Sequence, residues 1–179
     1  MRSDTHSLED RAERLIDWAR DRKLRFATVE TCAQGALAAL LGNTPGASDV
    51  YRGGVVAGTI ESKTILLGVP SELIADHSAV SPEVATAMAQ GVLRFLSADI
   101  AVSVTGVLGP EPDEDGTPVG LVYFGLAKRN GFVQVHEGWF DNQSTDAIRA
   151  AVLETALLLL DEGLVRPMNA PGAHESKAA

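Results

Sequence analysis

Four side chains in the first half of the chain could carry chemistry: the Thr31 hydroxyl, the Cys32 thiol, the Lys63 amine and the His77 imidazole. A hydroxyl can attack a carbonyl carbon if an unprotonated lysine takes its proton. Backbone N–H groups in glycine-rich turns can then hold the oxyanion that forms. A hydroxyl, an amine and glycine-rich backbone together are therefore suited to acyl transfer.

Each of these residues also has a structural interpretation. Thr31-Cys-Ala-Gln34 fits a capping box at the start of a helix, in which the Thr31 hydroxyl binds a backbone amide. Lys63 fits a solvated surface lysine. Cys32 is either an alternative nucleophile or a small buried apolar residue, and His77 is either a general base or a hydrogen-bonded loop histidine. The residue types alone leave these alternatives open.

The elements that must position these residues alternate between helices and strands. Turn and capping signals separate segments with helical or strand periodicity. The predicted helices are Ser7–Arg22, a helix after Thr31 to about Leu41, Thr59–Leu67, Ser71–Ala75, Pro82–Leu96 and Thr145–Leu160; the predicted strands are Phe26–Val29, Gly53–Gly58, Asp99–Thr105, Val119–Ala127 and Phe132–Phe140. This order predicts an α/β fold, a three-layer α/β/α sandwich with a mixed β-sheet, whose antiparallel part is the hairpin around Arg129-Asn-Gly131.

Three segments are predicted to meet at one edge of this sheet. The Thr31 turn follows the strand Phe26–Val29, and the loop Gly106–Pro118 follows the buried strand Asp99–Thr105. The turn Gly58–Lys63 is the third segment. Open α/β sheets bind ligands at the carboxyl ends of their strands, and long loops at such places are often functional. The sequence therefore places a candidate site where these segments converge.

Composition restricts the class of protein. The chain has 179 residues, 45% of them hydrophobic, and a formal net charge of -9. This acidic balance argues against nucleic acid and anionic membrane as partners, and no apolar run is long enough to span a bilayer. One cysteine and a charged first helix favour a cytoplasmic protein. Residues 1–165 are predicted to form a single domain and residues 166–179 a disordered tail. The four histidines lack ligand spacing, so no metal is expected.

The turn at Thr31 carries a resemblance to a known family. Glu30-Thr-Cys-Ala-Gln-Gly35 is similar to the Glu-Ser-Cys-Thr-Gly-Gly signature of the CinA C-terminal-domain family, the bacterial nicotinamide-nucleotide amidases. The resemblance covers roughly Leu8 to Leu160. Further similar segments follow in the same order: Pro45-Gly46-Ala47-Ser48, Gly53-Gly54-Val55-Val56, Glu61-Ser62-Lys63, Leu67-Gly68-Val69-Pro70, His77-Ser-Ala-Val-Ser81, Thr105-Gly106-Val-Leu-Gly109-Pro110 and Pro118-Val119-Gly120.

The resemblance implies an activity and a set of site residues. Enzymes of this family hydrolyse the carboxamide of nicotinamide mononucleotide to the acid and ammonia with a Ser/Lys pair, without a cofactor or metal. It implies that Thr31 is the nucleophile, that Lys63 is the base, and that the protein is a homo-oligomer acting on a small-molecule amide. The substrate-binding residues that it implies are Glu30, Gly35, Gly53, Gly54, Gly106, Gly109 and Arg149. Glu30 would either orient Lys63 or bind amides of the turn.

Several positions depart from the family pattern. Threonine stands in the place of the nucleophilic serine, and its methyl group stiffens the side chain. Gln34 replaces a glycine. The glycine-rich loop contains four carboxylates in Glu111-Pro-Asp-Glu-Asp115, which would repel a phosphate group unless they point away. An arginine before the last helix is missing, although Arg149 follows one turn later. Two alternatives therefore stand beside the amidase: a non-enzymatic binding or self-association module, and an amidase for an unphosphorylated amide.

Overall fold

The computed structural model describes residues 7–140 and 144–165. In chain order its elements are α1 Leu8–Asp21, β1 Phe26–Glu30, α2 Ala36–Gly42, α3 Ala47–Val50, β2 Tyr51–Val56, α4 Ile60–Leu67, α5 Ser71–His77, α6 Pro82–Phe95, β3 Ile100–Gly106, β4 Leu121–Lys128, β5 Val133–Trp139 and α7 Thr145–Val165. The expectation of a disordered tail at 166–179 lies outside the described residues.

The sheet is mixed, as the sequence predicts. Its strand order is β2-β1-β3-β4-β5. β1 pairs in parallel with β2 and β3, whereas β3 with β4 and β4 with β5 are antiparallel pairs. In the parallel part Glu30 lies beside both Val56 and Val104. The three parallel strands therefore end side by side, and the segments that follow them start from one edge of the sheet.

Helices cover both faces of the sheet, so the three-layer α/β/α prediction is confirmed. One core joins α1, α2, α3 and α7 to side chains such as Phe26 and Val102. The other core joins α4, α5 and α6 to side chains such as Ala27 and Ala101. Neighbouring residues of one strand thus enter different cores, as strand geometry requires. This explains why β1 and β3 are almost continuously apolar.

The start of α2 differs from the prediction. The helix begins at Ala36 after the N-cap residue Gly35, whose φ of 92° is left-handed and which has no side chain to cap it. Gln34 is also left-handed, with a φ of 57°. Since a first helical turn requires right-handed backbone, the capping box of Thr31 with Gln34 cannot form, and that interpretation is wrong. Residues 31–35 form a separate turn instead.

Other helix starts agree with the sequence. Ser7 and Asp10 form a reciprocal capping box before α1, with both hydrogen bonds at 3.1 Å. The Ser81 hydroxyl accepts from the Val84 amide, and Pro82 is the first residue of α6. The short helix α3 was not predicted, because four residues carry too little periodicity to recognise. No helix in the part of the chain that the structure describes is long and apolar enough to cross a membrane.

The packing of α7 on α1 buries a carboxylate at a cost. One oxygen of Asp161 is buried without a hydrogen-bond partner among the described residues. Burial raises the pKa of Asp161 from 3.8 to about 6, although Arg14 and Arg11 oppose the shift. Because the folded state holds this proton more tightly than the unfolded state, folding stability falls as the pH rises through this range.

Asp161→Asn is therefore expected to stabilise the fold at pH 7. The gain should be near zero below about pH 3, still small at pH 4, grow to about pH 6 and then level off at about 1 to 3 kcal/mol. Urea unfolding at several pH values measures this difference. Glu162→Gln, at the exposed neighbouring position, is the matched control and should show no such growth. A gain from Asp161→Asn that is equal at pH 4 and pH 7 would contradict the account.

Candidate functional site

A cleft of about 550 Å³ lies at the edge of the sheet where β1, β2 and β3 end. It brings together the three segments that the sequence analysis singled out. Its lining residues are Thr31 from the first turn; Gly58, Thr59, Ile60, Glu61 and Lys63 from the second; Thr105, Gly106, Val107, Asp113, Glu114 and Asp115 from the third; and Ala79 and Val80.

Lys63 is buried although it carries an amine. The second turn of α4 holds it, and α4 is fixed by a capping box in which the Thr59 hydroxyl accepts from the Ser62 amide at 3.1 Å. The side chain of Lys63 is only 3% exposed. Its amine makes no hydrogen bond or salt bridge with any of the described residues. The prediction of a solvated surface lysine is therefore wrong.

Burial also changes the proton affinity of this amine. It lowers the pKa of Lys63 below its ordinary value of 10.5, because a charged ammonium group loses its hydration. The Cys32 thiol acts in the opposite direction. A larger fraction of Lys63 is thus unprotonated near neutral pH than of a surface lysine. An unprotonated amine facing a cleft is suited to take a proton.

Thr31 and Cys32 follow β1 directly. The Thr31 amide donates to the Val104 carbonyl at 3.0 Å, which ties the turn to β3. Thr31 is half-buried and lines the cleft. Burial raises the pKa of the Cys32 thiol to about 12, so it stays protonated at neutral pH. Since the thiolate is the reactive form of cysteine, Cys32 is not suited to be the nucleophile.

Cys32 also links Thr31 to Lys63. The Thr31 side chain acts to lower the pKa of the Cys32 thiol, and the same thiol acts to raise the pKa of Lys63. Thr31 and Lys63 therefore both lie close to one small side chain and face the same cleft. This places the hydroxyl and the amine on neighbouring parts of the cleft wall.

Glu30 binds the backbone of α2. Its carboxylate is fully buried and accepts hydrogen bonds from the Leu37 amide at 3.2 Å and the Ala38 amide at 2.9 Å. A carboxylate at a helix N-terminus satisfies unpaired amides and complements the helix dipole. Of the two interpretations of Glu30, amide binding is the one observed. It holds the Thr31 turn against α2 and does not line the cleft.

The glycines of the implied substrate site have different places. Gly106 lines the cleft, and a β-carbon there would lie 2.6 Å from the Leu121 carbonyl oxygen. Gly54 is exposed on the edge strand β2, and a β-carbon there would come within 3 Å of the side chains of Tyr51, Ala38 and Thr28. Gly35, Gly53 and Gly109 have left-handed backbone and are outside the cleft lining. Of this set, the structure brings Gly106 together with Thr31 and Lys63.

Arg149 and His77 also lie outside the cleft lining. Arg149 pairs with Asp146, one turn earlier in α7, at 2.7 Å. His77 is the last residue of α5, and its imidazole lies 3.6 Å from the Glu83 carboxylate, beyond hydrogen-bond distance. Thr145, at the position where the family's arginine is missing, is the first residue of α7. Neither Arg149 nor His77 contributes its side chain to the cleft as described.

The acidic loop turns toward the cleft. Asp113 accepts hydrogen bonds from the Asp115 amide at 3.1 Å and the Thr117 amide at 2.7 Å, which fold the loop on itself. Asp115 accepts from the Ser78 hydroxyl at 2.9 Å and so joins the loop to the segment before α6. Asp113, Glu114 and Asp115 line the cleft, whereas Glu111 does not.

Sequence reasoning missed several cleft residues. Thr105 is buried and donates to the Ala79 carbonyl at 2.9 Å, which brings Ala79 and Val80 to the cleft. No local pattern signals a contact between residues so far apart. In the sequence, Glu61 was recognisable only as part of the Glu61-Ser62-Lys63 motif. The spacing in Thr59-Ile-Glu-Ser62 could have placed Glu61 in the first turn of a helix, because a cap at Thr59 fixes where α4 starts.

The described residues contain no group of three or more histidine, cysteine, aspartate or glutamate side chains that could hold a metal ion. The polar side chains that line the cleft are the hydroxyls of Thr31, Thr59 and Thr105, the amine of Lys63 and four carboxylates. Chemically, the arrangement can transfer a proton from Thr31 to Lys63 and expose the resulting alkoxide to a ligand in the cleft.

Comparisons with known proteins agree with the motifs. Residues 8–164 match the model of the CinA C-terminal domain. A putative competence-damage inducible protein of Moorella thermoacetica is 42% identical over 78% of this chain. A CinA-like protein of a Synechococcus strain is 40% identical over 82% of the chain. The chain spans about a third of the length of these curated relatives, 33% and 35% respectively.

Solved structures show the same fold. The competence/damage inducible protein CihA of Agrobacterium tumefaciens superposes with a TM-score of 0.84 at 35% identity, over 93% of this chain and 100% of that one. The competence damage-inducible protein A (ComA) of Klebsiella pneumoniae gives a TM-score of 0.85 at 34% identity, over 90% and 99% of the two chains. Motifs, sequence and fold agree over residues 8–164, so the chain belongs to the CinA C-terminal-domain family.

Proposed function

We propose that the protein hydrolyses a carboxamide at the cleft formed by Thr31 and Lys63. Lys63 Nζ takes the proton of Thr31 Oγ1, and the oxygen attacks the carboxamide carbon. The protonated Lys63 returns the proton to the departing nitrogen, so ammonia leaves and an ester with Thr31 remains. Lys63 then takes a proton from water, and the hydroxide releases the acid and restores Thr31.

The observation that carries this proposal is the environment of Lys63. A buried amine without an ionic partner costs folding stability, so a fold that retains one has a use for it. Its lowered pKa makes it a proton acceptor, and a hydroxyl faces the same cleft. The Gly106 amide is the proposed donor to the oxyanion, because Gly106 is the glycine of the implied site that lines the cleft.

Nicotinamide mononucleotide is the first substrate to test. The family resemblance implies this compound, and its carboxamide fits the proposed chemistry. Under the same proposal, residues 1–165 form one domain acting as a cytoplasmic homo-oligomer in pyridine nucleotide salvage. No cofactor and no metal take part in the steps written above.

Thr31→Ala is expected to lower kcat for ammonia release by about 10³-fold or more, because the nucleophile is lost. Thr31→Ser should retain activity and give a kcat at least equal to that of the natural protein, since serine lacks the methyl group that restricts the hydroxyl. Both are measured by ammonia release from nicotinamide mononucleotide and from other carboxamides. Cys32→Ala is the control, and its activity should persist.

The alternative is a binding or self-association module without catalysis. It predicts that the natural protein, Thr31→Ala and Thr31→Ser release ammonia equally slowly from every carboxamide. Equal rates in all three would overturn the hydrolase. A large loss with Cys32→Ala but not with Thr31→Ala would instead assign the nucleophile to the thiol.

A further inference from the structure

The charges around the cleft are unevenly distributed. Among the described residues that line it, Lys63 is the cationic side chain, whereas four residues carry carboxylates: Glu61, Asp113, Glu114 and Asp115. Lys63 is buried and Glu61, Glu114 and Asp115 are exposed, so the carboxylates dominate the field at the mouth of the cleft. If Lys63 acts as a base, it is uncharged when a substrate binds, and the imbalance grows.

Hydrogen bonds hold part of this acidic rim in place. Asp113 is fixed by two amides of its own loop, and Asp115 by the Ser78 hydroxyl. These interactions hold the two carboxylates in place at the cleft. Glu61 and Glu114 have no hydrogen-bond or salt-bridge partner among the described residues, so their carboxylates are free to meet a ligand.

The groups that could bind a phosphate near this cleft are already used. The Glu30 carboxylate occupies the amides of Leu37 and Ala38 at the start of α2. Thr59 and Ser62 cap the start of α4, where Glu61 adds a further negative charge. Arg149 is paired with Asp146 away from the cleft. Among the cleft-lining residues that the structure describes, a phosphate monoester would therefore meet four carboxylates, with Lys63 as the only cationic side chain.

We propose that this cleft selects a carboxamide that carries a positive charge and no phosphate. The inference rests on the proposed hydrolase, because the unpartnered amine of Lys63 is what marks the cleft as a ligand site. The carboxamide reaches Thr31 and Lys63 at the inner end, while the cationic part of the ligand lies among Glu61, Glu114 and Asp115. Asp113 contributes to the field but keeps its hydrogen bonds to the loop.

The test is a comparison of matched carboxamides that differ in charge. Nicotinamide riboside has the cationic ring and no phosphate, nicotinamide mononucleotide adds the phosphate, and nicotinamide itself is neutral. Dissociation constants are measured by calorimetry on full-length Thr31→Ala, so that turnover does not consume the ligand. The riboside is expected to bind about tenfold or more tightly than the mononucleotide at low salt, with a smaller ratio at high salt.

Two glutamates on the same loop provide matched variants. Glu114→Gln, introduced beside Thr31→Ala, should reduce the preference for the riboside by about two- to threefold. Glu111→Gln removes an equal charge from a position outside the cleft lining and should leave the ratio unchanged. An equal reduction in both would assign the preference to net charge and overturn the assignment to the cleft.

The outcomes separate this inference from the hydrolase itself. The selectivity is overturned if the mononucleotide binds as tightly as the riboside. It is also overturned if no cationic carboxamide binds more tightly than its neutral counterpart, which includes the case in which none of the compounds binds. Preference for the riboside without ammonia release by the natural protein keeps the selectivity and overturns the hydrolase. Equal turnover of riboside and mononucleotide keeps the hydrolase and overturns the selectivity.

Discussion

Lys63→Met is expected to abolish amide hydrolysis and, at the same time, to make the fold more stable. Methionine has nearly the length of lysine and suits a side chain that is 97% buried, as the 3% exposure of Lys63 requires. It removes the base, so kcat should fall by about 10²- to 10⁴-fold. It also removes a buried amine without an ionic partner, so the free energy of unfolding should rise by about 1 kcal/mol or more.

The effect of Lys63→Met on the free energy of unfolding should depend on pH. Since burial lowers the pKa of Lys63, the unfolded chain binds this proton more tightly than the folded one. The stability lost to Lys63 is therefore largest at low pH and is recovered as the pH rises to the ordinary lysine value. The advantage of Lys63→Met should shrink over the same range. The kcat of the natural protein should rise with pH as Lys63 loses its proton, below the pH at which a surface lysine would.

Lys128 is a matched control for this substitution, because it is equally buried, at 3% exposure, but far from the cleft lining. Its ammonium lies 5.8 Å from the centre of the Phe132 ring, a favourable cation–π contact. Lys128→Met should therefore leave hydrolysis intact and should not stabilise the fold. If Lys63→Met destabilises the protein as a structural residue would, Lys63 is not the strained base proposed here.

Glu30→Ala is expected to have the largest effect on stability of the substitutions considered. The change leaves the buried amides of Leu37 and Ala38 without acceptors and opens a cavity at the end of β1. Together these should lower the free energy of unfolding by about 3 kcal/mol. Chemical denaturation measures the loss. Because the same carboxylate holds the Thr31 turn against α2, the fraction that still folds should also hydrolyse amides more slowly.

Glu61→Ala is the comparison for Glu30→Ala. Glu61 is exposed and stands in the first turn of α4, so its loss should change stability by no more than about 1 kcal/mol. Both glutamates lie at the start of a helix, but their effects on stability should differ because Glu30 is buried and hydrogen-bonded whereas Glu61 is exposed. A loss from Glu30→Ala as small as that from Glu61→Ala would show that water satisfies the two amides.

The sequence was most informative where a local pattern determines local structure. Ser81 followed by Pro82 located the start of α6, and the nearly continuous apolar run of β3 indicated a sheet covered on both faces. The order of helices and strands then indicated the layers. These features could be predicted because capping and periodicity depend on residues close together in the chain.

The site was less predictable, because its important contacts join distant residues. Thr31 followed by Gln34 has the letters of a capping box, but the Glu30 carboxylate took the amides of α2 and the turn adopted left-handed backbone. Nothing near Lys63 in the chain shows that it is buried, since the packing around α4 decides that. The direction of the acidic loop depends on Ser78, 37 residues away from Asp115.

The residues that line the cleft are held by different parts of the fold, and this difference has an evolutionary consequence. Thr31 and Lys63 are carried by a strand end and a helix that are built into the two cores. The carboxylates of Asp113, Glu114 and Asp115 are carried by one loop, held by its own amides and by Ser78. Mutations in that loop can therefore change which molecules bind while the proposed reacting pair, Thr31 and Lys63, is inherited intact. Among proteins that descend from this one, the range of ligands can change by mutation of the loop alone, while Thr31 and Lys63 are kept.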